Sequence, residues 1–498
     1  MRILLVYPQY PDTFWSFKHA LKFVSKKAAF PPLGLLTVAS MLPPDWDKKL
    51  VDLNINLLTD KDIRWADYVF ISAMAVQRAS ANEVIARCKK LGVKTVAGGP
   101  LFTASYNEFE GIDHFVLGEA EVTLAPFLAD LENGCARHIY SSDERPDISV
   151  TPTPMWSLIN MKHYGSMSLQ YSRGCPFDCE FCDIVAFNGR TPRTKTKDQF
   201  ISELDSLYEN GWRGSVFVVD DNFIGNKKKL KAETLPALID WKKTKKYPFA
   251  FCTEASINLA DDEELMKLMV AAGFDVVFIG IETPNEESLA ECTKGQNQHR
   301  DLVASVKKLQ QSGLEVQGGF IVGFDSDPES IFQAQIDFIQ RSGIVTAMVG
   351  LLNAPTGTRL YKRLREEGRL LTSFTGNNTD FSLNFIPKMD PQKLITGYRQ
   401  ILDTIYSPKE YYQRIKTFLK VYKPTRTKPG KIHSYQIKAF FRSIWFLGIR
   451  NGQGKRHYWK LFVSYLVTSP PKFARFILLA VYGYHFRKIA SMTGQQVA

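Results

Sequence analysis

A chain of 498 residues with 45% hydrophobic content is long enough for two to four domains with cores of ordinary size. Its seven cysteines are odd in number and form no paired framework, which excludes a disulfide-stapled fold; the lack of any apolar run of about 18 residues excludes a predicted spanning helix. The net charge of +12 is local: Pro408 to Ala498 hold 18 Lys and Arg against Glu410 alone, a balance of +17 that leaves −5 for everything before it.

Residues 1–140 alternate short apolar runs with helical patterns. Ile3–Tyr7, Leu50–Leu53, Tyr68–Ser72, Lys94–Ala97 and His114–Leu117 read as strands, and Leu35–Met41, Ala81–Leu91 and Glu121–Leu131 as helices. Met1 to Pro8 reads as a strand and is too short for a signal peptide. Buried strands alternating with helices predict a doubly wound, Rossmann-like parallel sheet of the α/β class. Such sheets bind ligands beyond the carboxyl ends of their strands. The residues falling there are Pro8, Gln9, Asn54, Ala73, Met74, Gly98, Gly99, Pro100, Gly118 and Glu119. Two glycines before a proline let the backbone come close to a flat, bulky ligand. Ala28–Gly34, with two prolines and a glycine, reads as the start of a helix.

Residues 141–165 form a linker, polar and rich in Pro, Asp and Ser as far as Pro154. Residues 166–385 return to alternation. Ser168–Tyr171, Gly214–Val219, Phe249–Thr253, Val276–Ile281, Val316–Val322 and Thr346–Leu352 read as strands, and Thr196–Gln199 as a capping box for a helix reaching Tyr208. Six βα units fit a partial (β/α)6 barrel with its chemistry at the carboxyl ends of the strands. Asp220, Asp221 and Asn222 follow the second strand, Glu254 ends the third and Glu282 the fourth; Gly318, Gly319 and Gly323 lie on the fifth. Arg359–Leu370 reads as a closing helix with an apolar packing face.

The loop after the first barrel strand carries Cys175, Cys179 and Cys182 at C-x3-C-x2-C, with Phe181 before the last cysteine. Three thiolates at this spacing can hold three irons of a [4Fe–4S] cluster and leave the fourth open. Zinc is the competing reading, but it takes four ligands, usually in C-x2-C pairs, and no partner pair exists. Cys88, Cys135, Cys252 and Cys292 are scattered and read as small core residues.

On this motif the chain resembles the radical S-adenosylmethionine (SAM) superfamily. The resemblance implies that SAM chelates the open iron and is cleaved to a 5′-deoxyadenosyl radical, with electrons from a reducing partner such as a flavodoxin or ferredoxin. It also implies SAM contacts at Phe181, Asp220, Asp221, Asn222, Glu254, Glu282, Gly319 and Gly323. The preceding sheet, with its V-A-G-G-P (Val96–Pro100) and L-G-E-A-E (Leu117–Glu121) segments, is similar to the cobalamin-binding domain of cobalamin-dependent members. The ten sheet-end residues named above become candidate cobalamin contacts. The D-x-H-x-x-G motif is absent, since Asp113 and His114 are adjacent, so no histidine of that motif ligates cobalt. Ala28–Gly34 resembles a segment near the domain interface of the same enzymes. Tyr171–Ile184, Val219–Asn226 and Gly280–Pro284 resemble a subgroup that includes the hopanoid C-2 methylases. That resemblance implies a C-methyltransferase acting on an unactivated carbon of a small molecule or a lipid such as a hopanoid. Radical ring formation or carbon–carbon coupling without methyl transfer is a competing expectation. A non-catalytic iron–sulfur redox or assembly protein is another.

Residues 386–498 read as basic helices without a catalytic motif, broken at Pro424–Gly430 and Asn451–Gly454. Pro471–Lys488 places an apolar run between cations. It suits a helix lying in a membrane interface, or one packed on the barrel with a solvated basic face. Nucleic acid is not expected, because the aromatic residues sit within long apolar helices. The expected location is the cytoplasm, with peripheral contact at the inner face of the membrane.

Overall fold

The computed structural model describes residues 1–424, 434–450 and 452–493. Its first sheet holds β1 (Arg2–Tyr7), β2 (Asp47–Asp52), β3 (Tyr68–Ser72), β4 (Lys94–Gly98), β5 (His114–Val116) and β6 (Ile139–Tyr140) in the order β2-β1-β3-β4-β5-β6. Every pairing is parallel. Period-two alternation feeds two cores. Leu4, Val6, Val69, Ile71 and Ala97 enter one, and Ile3, Leu5, Tyr68, Phe70 and Val96 the other. Both faces are thus covered, as a doubly wound sheet requires. Strand β6, at two residues, is too short to leave a sequence signal. The helix Asp60–Trp65 also went unread, although Thr59 and Asp62 make a complete capping box there.

The second sheet holds β7 (Met167–Leu169), β10 (Ser215–Val218), β11 (Ala250–Glu254), β12 (Phe274–Glu282), β13 (Glu315–Val322) and β14 (Ala347–Leu351), all parallel and in chain order. The short antiparallel pair β8 (Ser172–Arg173) and β9 (Arg193–Thr194) brackets the cysteine loop. The barrel sheet ends at β7 and β14. Along β7 runs a segment of the first domain. Ala28 bridges Tyr164, and the N–H groups of Gly165 and Ser166 donate to the carbonyls of Ala28 and Ala29. Trp15 packs on Phe278 with ring centroids 4.9 Å apart, and Phe30 on Phe217 at 5.2 Å.

Tail helices Pro391–Tyr406 and Pro408–Val421 pack against the barrel helix Ile331–Ser342. Helix Pro470–Thr493 crosses the base of the barrel. Arg475 bridges Asp275 (2.8 Å) and Glu315 (2.9 Å), at the amino ends of β12 and β13. This corrects the interfacial reading of Pro471–Lys488. Phe476, Leu479, Ala480, Val481, Phe486 and Ile489 are buried inside the protein, so the apolar face is not free for lipid. Among the described residues no helix is long and apolar enough to cross a membrane. Of the predicted breaks, residues 425–430 and 451 lie outside the described residues; Gly454 caps helix Lys455–Thr468. Cys135, read as a core residue, is exposed.

Candidate functional site

The site is assembled where the two sheets present their carboxyl ends to each other. The cysteine loop is held rigidly from three directions. Asp220 accepts from the N–H of Tyr171 (2.7 Å) and the hydroxyl of Ser172 (2.6 Å). Asp221 accepts from the N–H of Gly174 (2.7 Å) and Asn188 Nδ2 (2.9 Å). From the far side, Arg363 pairs with Glu180 (2.8 Å), Arg359 donates to the Asp178 carbonyl (2.6 Å), and the N–H of Leu360 donates to the Glu180 carbonyl (3.0 Å). The closing helix therefore packs through Leu360 and Leu364, as its apolar face predicts, and also grips the loop through its arginines.

Cys175 and Cys182 are partly exposed and Cys179 is buried. Burial pushes all three thiols up, and the charge of Lys294 pulls each back toward thiolate. Asn222 Nδ2 lies 3.8 Å from Cys175 Sγ, and Gln296 Nε2 3.9 Å from Cys179 Sγ, both within reach of donation to sulfur. Among the described residues no group of three or more His, Cys, Asp or Glu side chains converges on a single ion. Three thiolates at this spacing can each hold one iron of a cubane cluster. Three thiols with amide donors at two of the sulfurs fit such a cluster.

The sequence-predicted SAM residues divide. Asn222, Glu254, Glu282 and Gly319 line the barrel interior or its rim, and Phe181 packs against Phe324 at 6.1 Å. Glu254 has no protein hydrogen-bond partner among the described residues; burial, then Asp221 and Asp220, push its carboxyl up to about 8. Glu282 sits at φ 63°, in the left-handed region, and pairs with Lys294 at 2.6 Å. Burial opposes the Lys294 charge, but Glu282 and the cysteines outweigh it and raise the ammonium above its ordinary range. Asp220 is corrected: it is 1% exposed with both oxygens engaged, so it fastens the loop instead of meeting a ligand. Gly323 has a structural demand of its own. Its φ of 109° makes a turn, and a Cβ there would lie 3.1 Å from Leu394. Gly318 is required by packing, since a Cβ would meet the Phe320 ring at 2.7 Å.

At the first sheet, Pro8 O accepts from Gln77 Nε2 (2.5 Å) and Asn54 Nδ2 (3.3 Å), which stitches together the loops after β1, β2 and β3. Ala73 is buried under this loop layer, whereas Gln9, Met74, Pro100 and Gly118 are exposed along the sheet edge. The glycine pair has a different cause from the one expected. A Cβ on Gly98 would lie 2.7 Å from Val116 O, and one on Gly99, at φ 85°, 2.4 Å from Ser72 Oγ. Neighbouring strands therefore demand the glycines, and Pro100 starts helix Pro100–Ser105. His114 is buried with Nδ1 2.7 Å from Arg137 O, turned away from the edge. The residues exposed along this edge, Gln9, Met74, Pro100 and Gly118, are uncharged.

Arg173, just before the cysteine loop, joins the two halves. Its Nη1 lies 2.6 Å from Glu119 and its Nη2 2.8 Å from Glu121. Arg193 also reaches Glu119 at 2.7 Å. Glu119, expected at the cobalamin edge, is thus an inter-domain anchor. A strap, residues 371–384, crosses from the barrel to the first domain: Gly376, at φ 71°, sits so close that a Cβ would lie 2.8 Å from Val76 N. Sequence reading missed Arg173, Arg193, Lys294, Gln296 and the strap. Nothing in their local pattern marks them, because each acts on a partner remote in the chain.

Three family models match: "B12 binding domain" over residues 24–128, "Radical SAM superfamily" over 169–339 and "Domain of unknown function (DUF4070)" over 358–498. The chain is 41% identical to the Uncharacterized methyltransferase sll1242 of Synechocystis sp., covering 100% of this chain and 93% of the relative. It is 33% identical to the Hopanoid C-2 methylase of Rhodopseudomonas palustris, covering 97% and 92%. In fold it is similar to the cobalamin-dependent SAM radical enzyme OxsB with aqua-cobalamin bound (TM-score 0.63, 14% identity, 100% of this chain and 80% of that one). It is also similar to the methyltransferase TsrM of Kitasatospora setae with cobalamin and a [4Fe-4S] cluster bound (TM-score 0.62, 14% identity, 99% and 100%).

Proposed function

We propose, for a chain that belongs to the cobalamin-dependent radical SAM methyltransferase family, that it methylates an unactivated carbon of an apolar lipid of the hopanoid class. When bound, the cluster and SAM supply a radical that takes hydrogen from carbon, and cobalamin supplies the methyl group. The observation that supports the reading is the Arg173 junction: one guanidinium ties the start of the cysteine loop to the carboxyl edge of the first sheet.

Cys175, Cys179 and Cys182 hold one iron each. Asn222 and Gln296 donate toward two of the sulfurs. Glu254, Glu282 and Gly319 offer polar and backbone surface to SAM, with Phe181 alongside. Pro8, Gln9, Asn54, Ala73, Met74, Gly98, Gly99, Pro100 and Gly118 shape the cobalamin edge. Trp15, Phe30, Phe217 and Phe278 give the barrel wall an aromatic, apolar surface suited to a hydrocarbon substrate. A reduced flavodoxin or ferredoxin supplies electrons, and the enzyme works in the cytoplasm.

The test uses anaerobically purified full chain with iron, sulfide and hydroxocobalamin supplied. Bound cobalamin, with 5′-deoxyadenosine and S-adenosylhomocysteine formed from SAM under reductant, is the expected result. Lipid extracts of a deletion strain should then lack a methylated species. Deoxyadenosine formed without bound cobalamin would overturn methyl transfer and turn the search to cyclisation or coupling products.

A further inference from the structure

The cationic excess of the tail and its exposed apolar side chains meet on one helical hairpin. Helix Ser434–Ser443 continues into a π-helical stretch, Ile444–Ile449, and the chain returns as Lys455–Thr468. The inner face is well made. Ser443, Leu447, Gly448, Tyr458, Leu461 and Phe462 are buried, and Trp459 Nε1 donates to Gly448 O at 3.0 Å. The outer face is the reverse. Ile437, Phe441, Trp445 and Ile449 recur every fourth residue and are 48%, 63%, 54% and 52% exposed. On the returning helix Val463, Leu466 and Val467 are 56%, 48% and 76% exposed. The two sets flank the contact of Phe440 with Phe462, whose ring centroids are 6.0 Å apart, so they form one patch. Apolar groups gathered this way mark an interaction surface.

The charges around the patch select the partner. Lys438, Arg450, Lys455, Arg456 and Lys460 are all exposed, and the sequence has no acidic residue after Glu410. Two copies meeting through this face would bring like charges together. An anionic bilayer answers both features, with phosphate headgroups for the cations and acyl chains below for the apolar stripe.

We propose that this hairpin, and not the buried helix Pro470–Thr493, is a docking surface for anionic membrane, with Phe441 and Trp445 seated below the headgroups. The inference stands apart from the methyl-transfer reading. It also gives docking a direction, because Arg442 on the same helix donates to Lys22 O (2.7 Å) and Ser25 Oγ (2.7 Å) in the first domain.

The test is vesicle flotation of the full chain with phosphatidylcholine alone or with phosphatidylglycerol added, at low and high salt. Binding is expected on the anionic vesicles, weakened by salt, and at least about tenfold weaker for the Phe441→Ser/Trp445→Ser double variant, from the apolar area withdrawn. Leu57→Ser, at an 89% exposed site in the first domain, should bind as wild type does. Iron content and light scattering verify that the double variant is folded. Absence of wild-type binding, undiminished binding by the double variant, or a dimer that the double variant abolishes would each overturn the proposal.

Discussion

Replacing Arg173 with methionine keeps much of the side chain's bulk and removes the guanidinium, so it isolates the charge link between the two halves. Glu119 retains Arg193, but Glu121, 3% exposed, loses its cation and keeps the Thr151 hydroxyl at 2.6 Å and a backbone N–H. Burial pushes the Glu121 carboxyl up; Arg173 outweighs burial and holds it at about 2, against an ordinary 4.5. At about 1.4 kcal/mol per pH unit, that displacement corresponds to about 3 kcal/mol. The figure sits at the low end of the roughly 3–5 kcal/mol lost when one partner of a buried pair is removed. Arg173→Met is therefore expected to lower stability by about 3 kcal/mol in urea unfolding followed by tryptophan fluorescence. Glu121→Gln in the same background should show strong coupling in a double-mutant cycle. The pH dependence has a definite sign. A depressed carboxyl stabilises fully above 4.5 and loses its contribution as pH falls through about 2. The gap between wild type and variant should be level near neutral pH and close on acidification. A gap below about 1 kcal/mol, or one that widens in acid, would refute the argument.

Alanine at Cys175, Cys179 or Cys182 should each reduce bound iron to background and abolish 5′-deoxyadenosine formation; full iron loading in any of the three contradicts the ligand set. Asn222→Ala removes a donor to Cys175 Sγ and should lower the cluster's reduction potential, read by EPR titration, since donation to sulfur favours the reduced state. An unchanged or higher potential counts against this. Glu254, held at about 8, should cost stability as pH rises from 4.5 to 8 in protein without SAM. Glu254→Gln should flatten that stretch of the stability curve, and parallel curves would show the carboxyl is not raised. Gly376→Val forces a branched residue into the left-handed region, at about 1–2 kcal/mol, and sets a Cβ against Val76 N. It should speed proteolysis within residues 371–384; unchanged cleavage means that the strap does not depend on this contact.

The middle barrel strands were legible because β-branched and aromatic residues run up to a polar residue, as in Val216–Val218 before Asp220 and Phe251–Thr253 before Glu254. The cysteines were legible because a ligand set of fixed spacing is local in sequence. Asp220 and Asp221 looked alike in the chain and proved different, since one faces Tyr171 and Ser172 while the other takes Gly174 and Asn188. Local pattern cannot decide which of two adjacent carboxylates turns inward. Lys294 acquires its importance only by meeting Glu282 and the cysteines, and Arg173 by meeting a helix more than 50 residues away. Of the two readings open for Pro471–Lys488, packing on the barrel is the one that the structure shows, and composition could not choose between them. Pro471–Lys488 has the composition of an interfacial helix, yet the barrel base absorbs its apolar face, while the more broken stretch from Ile437 to Val467 leaves one face of large side chains, Phe441 and Trp445 among them, in solvent.

The packing of helix Pro470–Thr493 against residues of the first domain has a consequence for biosynthesis. Phe14 is buried with its carbonyl 2.9 Å from Nε2 of His485, and Phe17 packs against Tyr482 at 5.2 Å. These partners stand 471 residues apart for the first pair. At about 5–20 residues per second, the ribosome delivers His485 roughly 25–95 s after Phe14 has left the peptidyl transferase centre. Throughout that interval Phe14 and Phe17 lack their final cover, so the nascent chain carries an exposed aromatic face until helix Pro470–Thr493 is released. Chaperone occupancy during translation should concentrate there, and a stalled or shortened transcript should yield a product prone to aggregate even though its sheets are complete.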